Sequence, residues 1–251
     1  MPTILLTNDD GVSAPGLAAL AEALNLLGDL IVVAPSEESS AMSHALTVRR
    51  SLTVDTVAPG WLAVDGTPTD CVNVAVSQLL TTPPDLVVSG INNGLNVGDD
   101  VTYSGTVAGA LEGILLGIPA IAVSQQRTLP MRYDGAAAVA AQLASAVLEH
   151  GLPPRTLLNI NVPRGTPRGL RVTEQASRTQ EFAVETDEEP AHETRVWIGA
   201  GTFDWSDDPK SDYRAIQEHL ISITPLRPDW THRAAIPRVE ALTTRALAEV
   251  E

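Results

Sequence analysis

The chain has 251 residues, 44% hydrophobic and 19% charged, enough to bury a full core and inconsistent with a disordered chain. Its formal net charge of −15 argues against a DNA- or RNA-polymer binder, whose surface is normally basic. A small phosphorylated substrate stays compatible, because a bound cation can reverse the local field.

Cys71 is the single cysteine, which excludes an intrachain disulfide and a thiolate metal cluster and fits a reducing compartment. No Lys or Arg precedes Arg49, so a basic signal-peptide region is missing, and the apolar stretch from Ile114 to Val123 is too short to span a bilayer. The expectation is a cytoplasmic protein with no membrane partner.

Ile4-Leu5-Leu6 reads as a strand, followed by Leu17, Leu20, Ala21, Leu24 and Leu27 at helical spacing. Leu30 to Ala34 is a second strand. A polar loop runs to about His44, with less regular strand-like pieces at Leu52–Val57 and Trp61–Val64. Thr67-Pro68-Thr69-Asp70 has the form of a helix start, and that helix is expected to reach Leu80. Leu86-Val87-Val88 is a third core strand, Gly105–Leu116 a helix and Ala120–Val123 a fourth strand. A long helix covers Gly135–Glu149 with Val139, Leu143 and Val147 on one face.

Beyond Gly169 the pattern changes. Leu170–Val172 and Arg195–Ile198 flank an acidic stretch, Glu181–Glu193, and read as a hairpin-like extension. Asp212–Leu220 reads as helical, Ile221–Ile223 as a strand rejoining the sheet, and the tail from Pro237 as an amphipathic helix. Residues 1–168 thus form an α/β core, 169–211 a hairpin-like extension, and 212–251 a returning strand and tail. Apolar strands separated by helices imply a doubly wound, mostly parallel α/β sheet, Rossmann-like in layout, with a C-terminal hairpin arm.

Each core strand ends in small polar side chains: Thr7-Asn8-Asp9-Asp10-Gly11, then Ser36 to Ser40, then Ser89 to Asn96, then Ser124. In an open parallel sheet these ends line one edge, where ligands bind. Asp9 and Asp10 carry the sharpest signal. Two adjacent carboxylates about 4–6 Å apart repel by a few kcal/mol at an effective dielectric near 20. Taken alone, the dipeptide fits a turn cap at Gly11 beside a solvated acid; at the end of the first core strand, facing Ser and Asn residues, it fits a cation. Hard oxygen donors select Mg²⁺ or Mn²⁺, with Ca²⁺ acceptable in a crystal, and no Cys or His cluster serves zinc. Ser104-Gly105-Thr106 opens a helix, as an ordinary N-cap or as a phosphate seat. His44 alone fits a structural or surface role as well as a catalytic one. Asp99 and Asp100 read as outer groups or solvated acids, Asp100 as solvated.

The motifs of a P-loop, of a dinucleotide-binding turn after the first strand and of a serine-hydrolase elbow are absent, and the acids are contiguous rather than D-x-D.

At these residues the chain resembles the SurE family of stationary-phase survival proteins, which are metal-dependent 5′/3′-nucleotidases. The resemblance rests on TNDDG at Thr7–Gly11, the serine loop at Ala34–His44, and GTPTDCV at Gly66–Val72. The long motif SGINNGLNVGDDVTYSGTVAGALEG at Ser89–Gly113, with LNINVP at Leu158–Pro163 and SITPL at Ser222–Leu226, completes it. It implies that Asp9, Asp10, Ser40 and Asn96 coordinate one divalent cation per subunit, and that Asn92, Ser104, Gly105 and Thr106 surround the phosphate. It also implies a homodimer or homotetramer with an exchanged arm. The serine loop departs from the family's pattern at Ser36, Ser39 and Ala41-Met42.

The expected reaction is hydrolysis of nucleoside 5′- and 3′-monophosphates, extending to short polyphosphate. Asp9 and Asp10 are the catalytic candidates, Asp9 by activating water or by direct attack, and His44 a candidate substrate or leaving-group contact. An N-ribohydrolase and a non-catalytic nucleotide sensor are the alternatives.

Overall fold

The computed structural model describes residues 1–179, 184–187, 195–198 and 204–248. Eleven strands and six α-helices follow in order: β1 (Thr3–Thr7), α1 (Pro15–Leu24), β2 (Asp29–Pro35), β3 (Val54–Ala58), β4 (Trp61–Val64), α2 (Pro68–Val74), β5 (Leu86–Asn93), α3 (Gly105–Leu115), β6 (Ala120–Gln125), α4 (Asp134–His150), β7 (Leu157–Val162), β8 (Leu170–Val172), β9 (Val184–Asp187), β10 (Arg195–Ile198), α5 (Asp212–Gln217), β11 (Ile221–Leu226) and α6 (Ile236–Ala248). Nine of these strands form one sheet in the order β3-β4-β2-β1-β5-β6-β7-β11-β8. The run from β4 to β7 is parallel throughout, while β3 and β11 pair antiparallel with β4 and β7.

β1 shows why the sheet is covered on both faces. Successive side chains of a strand point to opposite sides. Ile4 and Leu6 accordingly pack with Leu17, Leu20 and Leu24 of α1 and Ala136 and Ala140 of α4. Leu5, between them, joins Val72 of α2 and Val107 and Ile114 of α3. All three β1 residues are fully buried, so truncating any of them to Ala costs roughly 2–5 kcal/mol.

The capping expected at Thr67 is present: its hydroxyl accepts from Asp70 N at 3.2 Å, and Thr67 N donates back to the Asp70 carboxylate at 2.9 Å. α2 then widens into a π-type turn over Ala75–Leu79, so the helical path ends close to the expected Leu80. On α4 the fully buried face is Ala136, Ala140 and Ala144 with Val147, while Val139 and Leu143 only flank it. The small residues let α4 lie close to α1.

Two strands fall outside the sequence pattern. β7, with Asn159 and Asn161 in an otherwise apolar run, sits fully inside the sheet. β8, expected in the hairpin-like extension, pairs in parallel with β11 as the last strand of the main sheet. β9 and β10 form a separate antiparallel pair, and β11 rejoins the sheet beside β7. The acidic stretch 181–193 lies outside the described residues apart from 184–187. The tail helix expected from Pro237 is α6. Among the described residues no helix is long and apolar enough to cross a membrane.

The chain leaves β1 toward β2 on one side and later returns to β5 on the other. This reversal places a crevice between the carboxyl ends of β1 and β5, the usual ligand position in open α/β sheets.

A candidate active site at the carboxyl edge of the sheet

Asp9 and Asp10 leave β1 at that crevice. Asp9 is only 3% exposed. Its Oδ1 accepts the Thr106 hydroxyl at 2.5 Å, and Gly105 is packed so closely that an added Cβ would lie 2.8 Å from Asp9 Cβ and 3.0 Å from its Oδ2. Glycine at 105 therefore lets the start of α3 press on the carboxylate. Burial pushes the Asp9 pKa up to about 6; the Thr106 hydroxyl pulls against that rise and the Asp10 charge adds to it. Asp10 is also raised by burial, opposed by the Asn93 N–H at 3.3 Å, raised further by Glu38 and lowered by Arg127. Two desolvated neighbouring acids are the electrostatic condition that a bound dication relieves.

The loop after β2 is tied to this point. Ser39 N donates to Asp9 O at 2.8 Å. Gly11, at φ +96°, makes room: a side chain there would meet the Glu37 backbone at 3.3 Å. Ser40 consequently reaches the cleft, its hydroxyl donating to Glu38 at 3.0 Å with its lone pairs left over.

Asn96 arrives from the segment after β5 and is held from below. Asn161 Oδ1 accepts from Asn96 N at 2.8 Å, and the side-chain amides of Asn161 and Asn159 both donate to Asn96 O, at 2.9 and 2.8 Å. The Asn96 side-chain NH₂ donates to Ser124 Oγ at 2.8 Å, which leaves its carbonyl oxygen as the cleft-facing donor atom. Asp9, Asp10, Ser40 and Asn96 all line one cleft of about 790 Å³, together with Asn92 and Ser104.

Among the described residues no group of three or more His, Cys, Asp or Glu side chains is placed to hold a metal ion by itself. Two carboxylates completed by a hydroxyl and an amide carbonyl remain, a set of hard oxygen atoms that fits Mg²⁺, Mn²⁺ or Ca²⁺ and not zinc.

The phosphate candidates divide by role. Ser104 caps α3 by accepting from Val107 N at 3.0 Å, and it also faces the cleft, so the cap and the cleft wall are one residue. The Thr106 hydroxyl is spent on Asp9, its backbone N–H also acts on that carboxylate and Val107 N is taken by the Ser104 cap, so the Gly105 N–H and the helix dipole are what this end can offer an anion. Asn92 donates to Gly94 O at 3.0 Å while lining the cleft.

His44 is not brought to this cleft. Its Nε2 is 2.7 Å from Glu112 on α3, whose other oxygen accepts from Asn73 at 2.5 Å, and it lines a separate cavity of about 190 Å³ behind Ser104. Asp100 differs from its expected solvated state: it faces the cleft and pairs with Arg178, whose backbone N–H donates to Asp99 at 2.7 Å.

Asn93, Asn159, Asn161 and Arg127 also build the site, and none stands among the sequence candidates. A signal existed for the β7 pair: two asparagines at i and i+2 share one face of a strand, so a buried polar partner had to lie above them.

The chain matches the family model described as "Survival protein SurE" over residues 4–182. It is 49% identical over 231 residues to a protein named 5′-nucleotidase SurE from Syntrophotalea carbinolica, covering 91% of this chain and 92% of that protein. A protein of the same name from Geobacter metallireducens is 49% identical over 237 residues, covering 93% of this chain and 94% of that one. The crystal structure of the SurE protein from Aquifex aeolicus superposes with a TM-score of 0.87 at 39% identity, over 96% of this chain and all of that one. The conjunction of sheet topology, acidic strand end and sequence match has one consequence: this chain belongs to the SurE family.

Proposed function

We propose that the chain is a nucleotidase that hydrolyses nucleoside monophosphates to nucleoside and phosphate, with one divalent cation held by Asp9, Asp10, Ser40 and Asn96. The observation that carries this reading is the Asp9-Asp10 pair at the sheet's switch point, Asp9 buried and Asp10 half-buried, with the start of α3 against Asp9. The family relatives named 5′-nucleotidase support the substrate class.

Bound in that position, the cation would neutralise charge on the transferring phosphoryl group. The remaining work falls to the chain. The Gly105 N–H and the dipole at the start of α3 meet the equatorial phosphoryl oxygens, and Asn92 supplies a side-chain amide from the other wall. Asp9, oriented by Thr106, takes the proton of the attacking water. The bond between phosphorus and the ribose oxygen breaks, and that oxygen leaves protonated as the nucleoside hydroxyl. His44 acts through Glu112 to fix the serine loop against α3 rather than by touching substrate. The β9–β10 pair is the proposed arm of a homodimer or homotetramer, testable by light scattering of a chain lacking it.

The test is phosphate release from a panel of nucleoside 5′- and 3′-monophosphates with Mg²⁺ or Mn²⁺ and with excess EDTA. Metal-dependent release supports the reading. Release of free base, or of nothing, replaces it with an N-ribohydrolase or a nucleotide sensor.

A further inference from the structure

The charge along the carboxyl edge of the sheet is not uniform. β1 contributes Asp9 and Asp10. Beyond β5, the next two strands end in arginines. β6 and β7 pair in parallel with Gln125 opposite Val162, so Arg127 and Arg164 each lie two residues past one registered pair. They emerge side by side. The two turns are bound to each other, since Gln126 N donates to Val162 O at 2.9 Å and Arg164 N donates to Gln126 Oε1 at 3.0 Å. Arg127 is further anchored by its Nε, which donates to Asn93 O at 2.8 Å, and Asn93 in turn donates to Asp10.

Both arginines line a second cleft of about 730 Å³ that shares Asn93 and Arg127 with the first. No carboxylate lines it, in a chain with 31 acidic and 16 basic residues. Among the described residues neither guanidinium forms an ion pair within 4 Å, although Arg127 is near enough to Asp10 to lower its pKa. Leu129 and Met131 add an apolar wall. An acidic protein that keeps two arginines together without a close ion pair, continuous with its candidate reactive cleft, presents a receptor for a second anionic group.

Spacing selects the anion. Arg127, bound to Asn93 O at the end of β5, lies beside the Asp pair, whereas Arg164 leaves β7, three strand spacings, about 14 Å at backbone level, from β1. Two phosphates joined by a bridging oxygen are too close together to span that gap. Phosphates on the 3′ and 5′ oxygens of one nucleoside sit at opposite ends of the sugar and suit it. We propose that Arg127 and Arg164 form a second-phosphate subsite, and that the enzyme takes nucleoside 3′,5′-bisphosphates in preference to monophosphates. This rests on the nucleotidase reading for its chemistry, not for its binding.

The experiment compares adenosine 3′,5′-bisphosphate with 5′-AMP and 3′-AMP, for wild type and Arg164→Gln, in Mg²⁺ or Mn²⁺. Phosphate release is followed, and binding of the bisphosphate is measured by calorimetry. The expected wild-type kcat/KM is at least tenfold higher for the bisphosphate, and Arg164→Gln lowers the bisphosphate-to-monophosphate ratio by about tenfold, in line with loss of one charged hydrogen-bonding partner. A wild-type ratio near one, or a ratio that the substitution does not change, overturns the subsite. Should the wild type release phosphate from no nucleotide, the nucleotidase reading fails by itself. Calorimetry then decides the subsite: bisphosphate binding weakened about tenfold in Arg164→Gln upholds it, and equal binding overturns it. Arg164 is exposed, so its replacement leaves folding intact.

Discussion

The Thr106 hydroxyl donates to Asp9 Oδ1 at 2.5 Å across 97 residues of sequence. Thr106 is fully buried, and Asp9 nearly so, in a protein whose acids mostly face water. The contact ties the first turn of α3 to the end of β1, and so fixes one oxygen of the carboxylate on which the proposed chemistry depends.

Thr106→Val keeps the shape of the side chain and deletes that donor. Because the hydrogen bond lowers the Asp9 pKa, its loss raises it. The acid limb of the kcat/KM profile is expected to move to higher pH, with activity at pH 7 reduced about 10–100-fold. A pH profile of the variant checks this; an unmoved acid limb with lower activity throughout would mean that Thr106 serves packing alone.

Asp9→Asn separates function from stability. In the metal-free fold Asp9 titrates near 6, above its ordinary 3.8, so between those values the folded chain holds a proton that the unfolded chain has released. Its contribution therefore favours the fold most below about pH 4 and is lost as pH rises through 6, by on the order of 3 kcal/mol. The Asn variant escapes that loss. In EDTA at pH 8 its Tm should exceed that of wild type by several degrees, while its turnover with metal falls about 10³-fold or more. Thermal unfolding at pH 5 and pH 8 reads both arms, and the difference between variant and wild type should shrink at the lower pH.

Asn161→Ala removes the group that both donates to and accepts from the Asn96 backbone. The orphaned groups cost about 1–3 kcal/mol of stability. Loss of support beneath a proposed metal ligand is expected to weaken Mn²⁺ affinity about 10–100-fold. A Mn²⁺ titration followed by electron paramagnetic resonance checks it, and unchanged affinity in a folded variant would remove Asn161 from the site.

His44→Ala and Glu112→Ala should act as a unit. Their side chains meet at 2.7 Å, so the double variant is expected to lose little more activity than either single one. Additive losses in a double-mutant cycle would instead place His44 on the substrate.

Much of the edge chemistry was legible because it obeys local rules. A buried strand that stops in Asp-Asp-Gly, and a helix that opens with Ser-Gly-Thr, announce themselves within a few residues. What was hidden depends on partners far along the chain. Nothing local marks the Thr106 hydroxyl as belonging to Asp9, and the Ser104 motif reads equally as cap or anion seat because one residue both caps α3 and lines the cleft. β7 was missed as a strand because its two buried asparagines break the apolar run, and their purpose appears only with Asn96 above them. β8 read as part of an extension since three residues carry no sign of whether their partner is a hairpin neighbour or β11. His44 lies near the serine loop in sequence, yet it pairs with Glu112 and lines a different cavity.

Anomalous diffraction from crystals soaked in Mn²⁺ locates the cation. One site per chain is expected, with an oxygen from each of Asp9, Asp10, Ser40 and Asn96 converging on it, and the Asp9→Asn variant is expected to lose that site. An anomalous peak elsewhere, or none here in a protein that releases phosphate fully in excess EDTA, would contradict that placement.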